Sequence, residues 1–87
     1  PDRSGSLLTL PQIRSCVRMG TFLKLARQGI SNARGIEAYN SSVREYNRRC
    51  GYFRYRRGDL QQARRDVERH RGEIEKESAR WAQEKSR

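Results

Sequence analysis

Apolar residues recur every three or four positions along three stretches of this 87-residue chain, with polar residues between them. Side chains at this spacing share one face of an α-helix. The pattern predicts three helices, over about 10–28, 33–50 and 59–83, after a flexible N-terminal lead over 1–9. We therefore expect an all-α fold with a single helical domain over 10–87.

The first predicted helix has a clear start and a clear end. Thr9 is a good N-cap, and Pro11 suits the first turn, whose N–H groups have no helical partners. Gly29 suits a left-handed C-terminal cap, and Asn32 suits the N-cap of the next helix. The apolar seam of the first helix is Cys16, Met19, Leu23, Ala26 and Ile30, widened at its start by Leu10, Ile13 and Val17.

The second predicted helix carries a one-sided apolar stripe and a short repeat. The stripe residues are Ile36, Tyr39, Val43, Tyr46 and Cys50. Tyr39-Asn40 and Tyr46-Asn47 repeat at an interval of seven residues, which favours a heptad pattern over a binding motif.

The third predicted helix is the longest and the most charged. Asp59 as N-cap and Gln62 three residues later form a capping-box pattern. Its seam is Leu60, Ala63, Val67, His70, Ile74 and Trp81, with Glu77 at a position where the heptad favours an apolar residue. We interpret His70 as a semi-buried core residue. The stripe suits a homodimer as well as an intramolecular core.

The two cysteines predict how the first two helices pair. In one continuous helix Cys16 and Cys50 would lie about 51 Å apart, at about 1.5 Å per residue. A turn between Gly29 and Gly35 instead makes an antiparallel hairpin with both cysteines at the same level. We expect a disulfide, which places the chain in an oxidising compartment. The alternative is two buried free thiols in a cytosolic protein.

The charge is strongly positive and unevenly distributed. The net charge is +10, which favours anionic partners. Residues 1–58 carry 12 basic and 3 acidic side chains, whereas residues 59–87 carry 8 and 7. The first part holds a basic aromatic loop over 52–57, which follows the second helix.

This basic aromatic loop is the main candidate contact surface. Arginines and aromatic rings together suit stacking and phosphate binding. The alternative is that the aromatic residues plug the end of the helical core while the arginines face solvent. Trp81 is a second candidate, because Trp is enriched at interface hot spots. The candidate partner-binding residues are Tyr52, Phe53, Arg54, Tyr55, Arg56, Arg57 and Trp81.

Several classes of chemistry find no support in the residue pattern. No spacing matches a catalytic triad, a carboxylate dyad, a P-loop or a dinucleotide-binding turn, so we expect no enzymatic activity. One histidine and two separated cysteines make a metal site unexpected, and nothing indicates a cofactor. No stretch approaches the ~20 apolar residues of a membrane span. The chain starts at Pro1, from which we expect a processed form with its signal peptide removed.

Part of the chain resembles small exported proteobacterial proteins of uncharacterised function. The resemblance rests on Tyr39-Asn40, Val43, Tyr46-Asn47 and Cys50, followed by the FRYRRG run over 53–58. It implies a periplasmic or secreted location and carries no activity with it. We therefore expect a non-catalytic structural or interaction module of the bacterial cell envelope, which contacts a partner protein or an anionic surface. The alternative is a nucleic-acid-binding protein that uses the same arginines and tyrosines.

Overall fold

A computed structural model describes residues 7–51 and 54–87 of the chain. It contains four α-helices and one short 3-10 helix over Arg27–Gly29. The α-helices are α1 (Leu10–Ala26), α2 (Ala33–Cys50), α3 (Arg57–Glu68) and α4 (Arg71–Lys85). The described residues form no strand beyond one isolated bridge between Leu7 and Arg54. The all-α prediction is confirmed.

The starts of the first two helices follow local capping rules. The Thr9 N–H donates to Gln12 Oε1 at 2.8 Å, and the Gln12 N–H donates to Thr9 Oγ1 at 3.4 Å, which completes a capping box. The Asn32 side chain accepts from the Gly35 N–H at 2.9 Å and caps α2. Both predicted starts are confirmed, and α2 has the predicted bounds.

Gly29 plays a different part from the predicted left-handed cap. It ends the 3-10 helix, and its φ lies outside the left-handed region. A Cβ on Gly29 would lie 2.9 Å from the Ala82 Cβ, closer than real Cβ contacts allow. Glycine is therefore needed here because α4 crosses the chain at this point.

The prediction of one long third helix over 59–83 is wrong, because the helix breaks at Arg69 and His70. His70 is the N-cap of α4, and its side chain is 58% exposed, so the prediction of a core histidine is also wrong. The break lets α3 and α4 each turn an apolar face toward α1, which a straight helix could not do along its whole length. Gly72, with its low helix propensity, follows the break by two residues.

The start of α3 also differs from the prediction. Arg56 is the N-cap, and its side chain makes no capping hydrogen bond. Asp59 lies inside the first turn, where its negative charge interacts favourably with the positive end of the helix dipole. The predicted capping box of Asp59 and Gln62 does not form.

The core is a thin layer in which α1 lies in the middle. Helices α3 and α4 pack on α1, and α2 pairs with it as the second arm of the hairpin. The extents of 39 × 32 × 13 Å are those of a flat molecule. Among the described residues, the buried apolar side chains are Ile13, Leu23, Ala26, Ala63, Val67, Ile74 and Ala82.

Helix α2 is fastened at both of its ends, and Tyr39, Val43 and Tyr46 between them are half-buried. Gly35 is its one buried residue in the described chain, and Ile36 of the predicted stripe is 45% exposed. At the start of α2, the Ser31 N–H donates to Ser86 Oγ at 3.3 Å, and the Asn32 side chain donates to the Ser86 carbonyl. At its other end Cys50 bonds to α1.

The predicted disulfide is present. Cys16 and Cys50 are bonded with a Cα–Cα distance of 5.9 Å, across 34 positions in the sequence. This bond confirms the antiparallel hairpin of α1 and α2. Among the described residues, no helix has the length and apolarity required to cross a bilayer.

Candidate interaction surface

The described part of the basic aromatic loop faces solvent. Arg54, Arg56 and Arg57 are exposed, and the Tyr55 side chain is 46% exposed. Tyr52 and Phe53, two of the predicted contact residues, lie outside the described residues. The described part of the loop thus presents three exposed arginine residues and one exposed aromatic residue.

Backbone contacts at Arg54 hold the described part of this loop in place. The Leu8 N–H donates to the Arg54 carbonyl oxygen at 2.9 Å, and Leu7 forms the parallel bridge with Arg54. On one side the loop follows Cys50 of the disulfide, and on the other it becomes α3 at Arg57. An ordered loop loses less conformational entropy on binding than a free one, which favours recognition.

Next to the loop lies a groove of about 410 Å³ between α1, α2 and the start of α3. Its apolar lining includes Leu8, Ile13, Val17 and Leu60, together with the disulfide. Tyr55 of the basic aromatic loop also lines it, so the loop and the groove form one continuous surface.

The contact between Gly20 and Tyr46 shapes this groove. A Cβ on Gly20 would lie 3.1 Å from the Tyr46 hydroxyl oxygen, which is tighter than nine in ten real Cβ contacts. The absence of a side chain at Gly20 therefore lets the Tyr46 ring lie close against α1. Tyr46 consequently lines the groove from the α2 side, opposite Tyr55 and Leu60.

The charges around the groove are of one sign. Lys24 and Arg64 are both exposed and line it, and none of its lining residues is acidic. Within residues 7–51 and 54–87, neither of these two cations pairs with a carboxylate. The groove therefore combines an apolar lining with two cations that no acid of the described chain neutralises.

Elsewhere on the molecule, several acids are already engaged with arginines. Asp66 on α3 pairs with Arg14 at 3.2 Å and also with Arg69. Glu77 on α4 pairs with Arg18 of α1 at 2.5 Å. These contacts join α3 and α4 to the opposite edge of α1. They occupy charges that would otherwise compete for an ionic partner.

A second set of contacts neutralises arginines on α2. Arg48 donates to Glu45 at 2.5 Å, and Arg49 lies 3.6 Å from the same carboxylate. The hydrogen bond from Arg48 lowers the pKa of Glu45, and the same contact raises the pKa of Arg48. These arginines are less available to an anionic partner than Arg56 and Arg57, which pair with no acid among the described residues.

Trp81, the other predicted contact residue, lies apart from the groove. It is half-buried and packs edge-to-face on Phe22 of α1, with ring centroids 5.7 Å apart. The structure therefore gives Trp81 a packing role within the chain. Its predicted role in partner binding stays a prediction.

The described residues contain no grouping of three or more metal-ligand side chains. His70, the one histidine, is exposed and lies 3.9 Å from Glu73, a spacing of one helical turn. The loop and the groove combine two tyrosine rings, several cations and a cavity whose described lining contains no acid. We therefore treat this continuous surface as the candidate functional site.

Sequence reasoning found the loop but missed the rest of this surface. Lys24 and Arg64 were not among the predicted contact residues, and Tyr46 was predicted as part of the apolar stripe of α2. One signal was present, because Lys24 follows Val17 and Gly20 at helical spacing on a single face of α1. Nothing local connects that face with Arg64, forty positions later.

Comparisons with protein-family models, with curated proteins and with solved structures each gave no match to this chain. The resemblance to small exported proteobacterial proteins therefore stays a prediction.

Proposed function

We propose that this chain is a non-catalytic interaction module of the bacterial cell envelope, which contacts an acidic surface of a partner protein. The observation that carries the proposal is the basic aromatic loop. Arg54, Tyr55, Arg56 and Arg57 are exposed on a backbone that the Leu8–Arg54 hydrogen bond holds in place. Exposed, ordered arginines and aromatic rings are typical of binding hot spots.

The disulfide supports the location. A bond between Cys16 and Cys50 persists in the periplasm or outside the cell, whereas cytosolic thiols are kept reduced. An oxidising compartment also favours a protein or surface partner over the alternative of nucleic acid. The positive charge of the first 58 residues suits an acidic partner and speeds its association.

The first test compares partner capture by variants with matched charge. One variant replaces the loop arginines (Arg54→Gln, Arg56→Gln and Arg57→Gln). The control removes three exposed cations of α4 (Lys76→Gln, Arg80→Gln and Lys85→Gln), which gives the same change in net charge. Each protein is immobilised, incubated with the envelope fraction of the source organism, and its captured proteins are quantified by mass spectrometry.

We expect the wild type and the control to retain the same proteins and the loop variant to lose them. Identical capture by the loop variant and the wild type would contradict the proposal. The nucleic-acid alternative is tested with a 20-nucleotide single strand. That alternative is favoured if the affinity of the chain for this strand falls steeply with salt concentration, and if the loop variant still captures every envelope protein that the wild type captures.

A further inference from the structure

The groove beside the loop has a shape and a lining that a contact through the exposed loop alone would not need. It is a preformed depression of about 410 Å³, within the size range of sites that hold small ligands or a few side chains. Its lining is aliphatic where α1 meets α3, and the disulfide closes the end near Cys50. A partner that only touched the arginines would leave this apolar surface in water.

Two tyrosines and two cations determine which kind of ligand is complementary to the groove. Tyr46 and Tyr55 each bring a ring and a hydroxyl to it, and Lys24 and Arg64 bring positive charge. Within the part of the chain that the structure describes, no acid lines the groove and no carboxylate pairs with either cation. A complementary occupant must be apolar at its centre and negative at its edges.

We propose that this groove binds an acidic segment of the partner protein, in which an aliphatic side chain stands next to Asp or Glu. The inference deepens the proposed function and rests on it. The aliphatic side chain lies over Val17 and Leu60, and the flanking carboxylates face Lys24 and Arg64. The loop arginines extend the positive surface from Tyr55 onward, so a longer acidic segment continues onto the loop.

The observations favour a peptide over the other anionic classes. A nucleic-acid strand stacks its bases on flat aromatic surfaces, whereas the centre of this groove is aliphatic and bordered by a disulfide. A lipid surface would demand a broad apolar face with cations around it. The apolar lining here is confined to one narrow depression between three helices.

The test measures fluorescence anisotropy of a labelled twelve-residue peptide in which Glu pairs alternate with Leu pairs. Two control peptides replace every Glu with Gln or every Leu with Ser. The full chain is compared with a rim variant (Lys24→Gln and Arg64→Gln) and with a control (Lys76→Gln and Arg80→Gln) that removes the same charge from α4. Circular dichroism checks that each variant keeps the wild-type helix content.

We expect the rim variant to bind the Glu–Leu peptide about three- to tenfold more weakly, because two solvent-facing ion pairs are lost. We expect the α4 control to change the affinity less than about twofold, because a distant exposed charge is largely screened. Both control peptides bind more weakly than the Glu–Leu peptide. Equal losses in the rim variant and the α4 control, or full binding of the Ser peptide, overturn the inference.

Failure of this inference is separable from failure of the proposed function. If the loop variant loses envelope proteins while the rim variant retains all of them, the proposed function stands and the groove is not the site. If both variants retain every protein, both proposals fail. The groove inference is also overturned if the wild type binds vesicles of anionic phospholipid more tightly than the rim variant does, and if neither protein binds the peptide.

Discussion

Removing the disulfide is the sharpest perturbation of this fold. The bond joins Cys16 and Cys50 across 34 positions, so cross-linking restricts a long loop of the unfolded chain. In the chain-entropy account such a loop contributes about 3–4 kcal/mol to the free energy of unfolding. A domain of this size has roughly 4–13 kcal/mol in total, so the bond is a large part of its stability.

The variant Cys16→Ala with Cys50→Ala is therefore expected to unfold at a much lower urea concentration. Its midpoint temperature should fall by about 12–32 °C, since roughly 4–8 °C corresponds to 1 kcal/mol in small domains and the bond contributes about 3–4 kcal/mol. Circular dichroism at 222 nm follows both transitions. The reduced wild type is the matched control, because it lacks the bond but keeps both sulfur atoms in place.

The loss is expected to appear first in α2. Gly35 is the one described residue of α2 that is buried, and Tyr39, Val43 and Tyr46 are only half-buried. The disulfide at one end of the helix and the contacts with Ser86 at the other therefore matter for its position. Hydrogen exchange should show lower protection in α2 than in α1 when the bond is absent. A loss of stability below about 1 kcal/mol, or uniform exchange across the helices, refutes this reasoning.

Two further predictions concern the helix crossing at Gly29 and the titration of Glu45. Gly29→Ala should lower the free energy of unfolding by about 1–3 kcal/mol, because the new Cβ would meet Ala82. Gly72→Ala has open space around the new Cβ and should raise the free energy of unfolding by up to about 1 kcal/mol. Equal effects of the two variants in urea denaturation would contradict this. The Glu45 carboxyl should titrate in ¹³C NMR below its ordinary pKa of 4.5, since Arg48 donates a hydrogen bond to it, and Arg48→Gln should raise the midpoint. Because the pKa of Glu45 is lower in the folded than in the unfolded chain, the carboxylate stabilises the fold at pH values above its unfolded-state pKa. This contribution is lost as the pH falls through the folded-state pKa.

Most local features of the hairpin could be predicted from the sequence. The caps at Thr9 and Asn32 depend on side chains within a few positions, so the sequence carries their signal directly. The disulfide followed from a geometric condition, because only a turn near residue 33 brings Cys16 level with Cys50. These inferences needed no knowledge of how distant helices pack.

The break between α3 and α4 could not be predicted in this way. Val67, His70 and Ile74 keep helical spacing across the break, so the apolar pattern appears continuous. Packing against α1 determines where the helix breaks. After the break the buried residues of α4 are those at 74, 78 and 82, a different register from the predicted seam. The charged Glu77 in the predicted apolar seam was a local sign that the register changes, and it is exposed and paired with Arg18.

The candidate surface shows the same division. The loop was visible as a run of arginines and aromatic residues, a local property of the sequence. The groove requires three helices to converge, and its two cations come from α1 and α3. No spacing rule connects residues so far apart, so only the fold identifies them as a pair.

The central claim is that the basic aromatic loop contacts a partner in the envelope, and photo-cross-linking in living cells tests it most directly. A photoreactive amino acid replaces exposed Arg56 in one protein and exposed Lys76 of α4 in the other. The account predicts a discrete cross-linked adduct from position 56 in the envelope fraction and none from position 76. Adducts from both positions, or an adduct only from position 76, would contradict it.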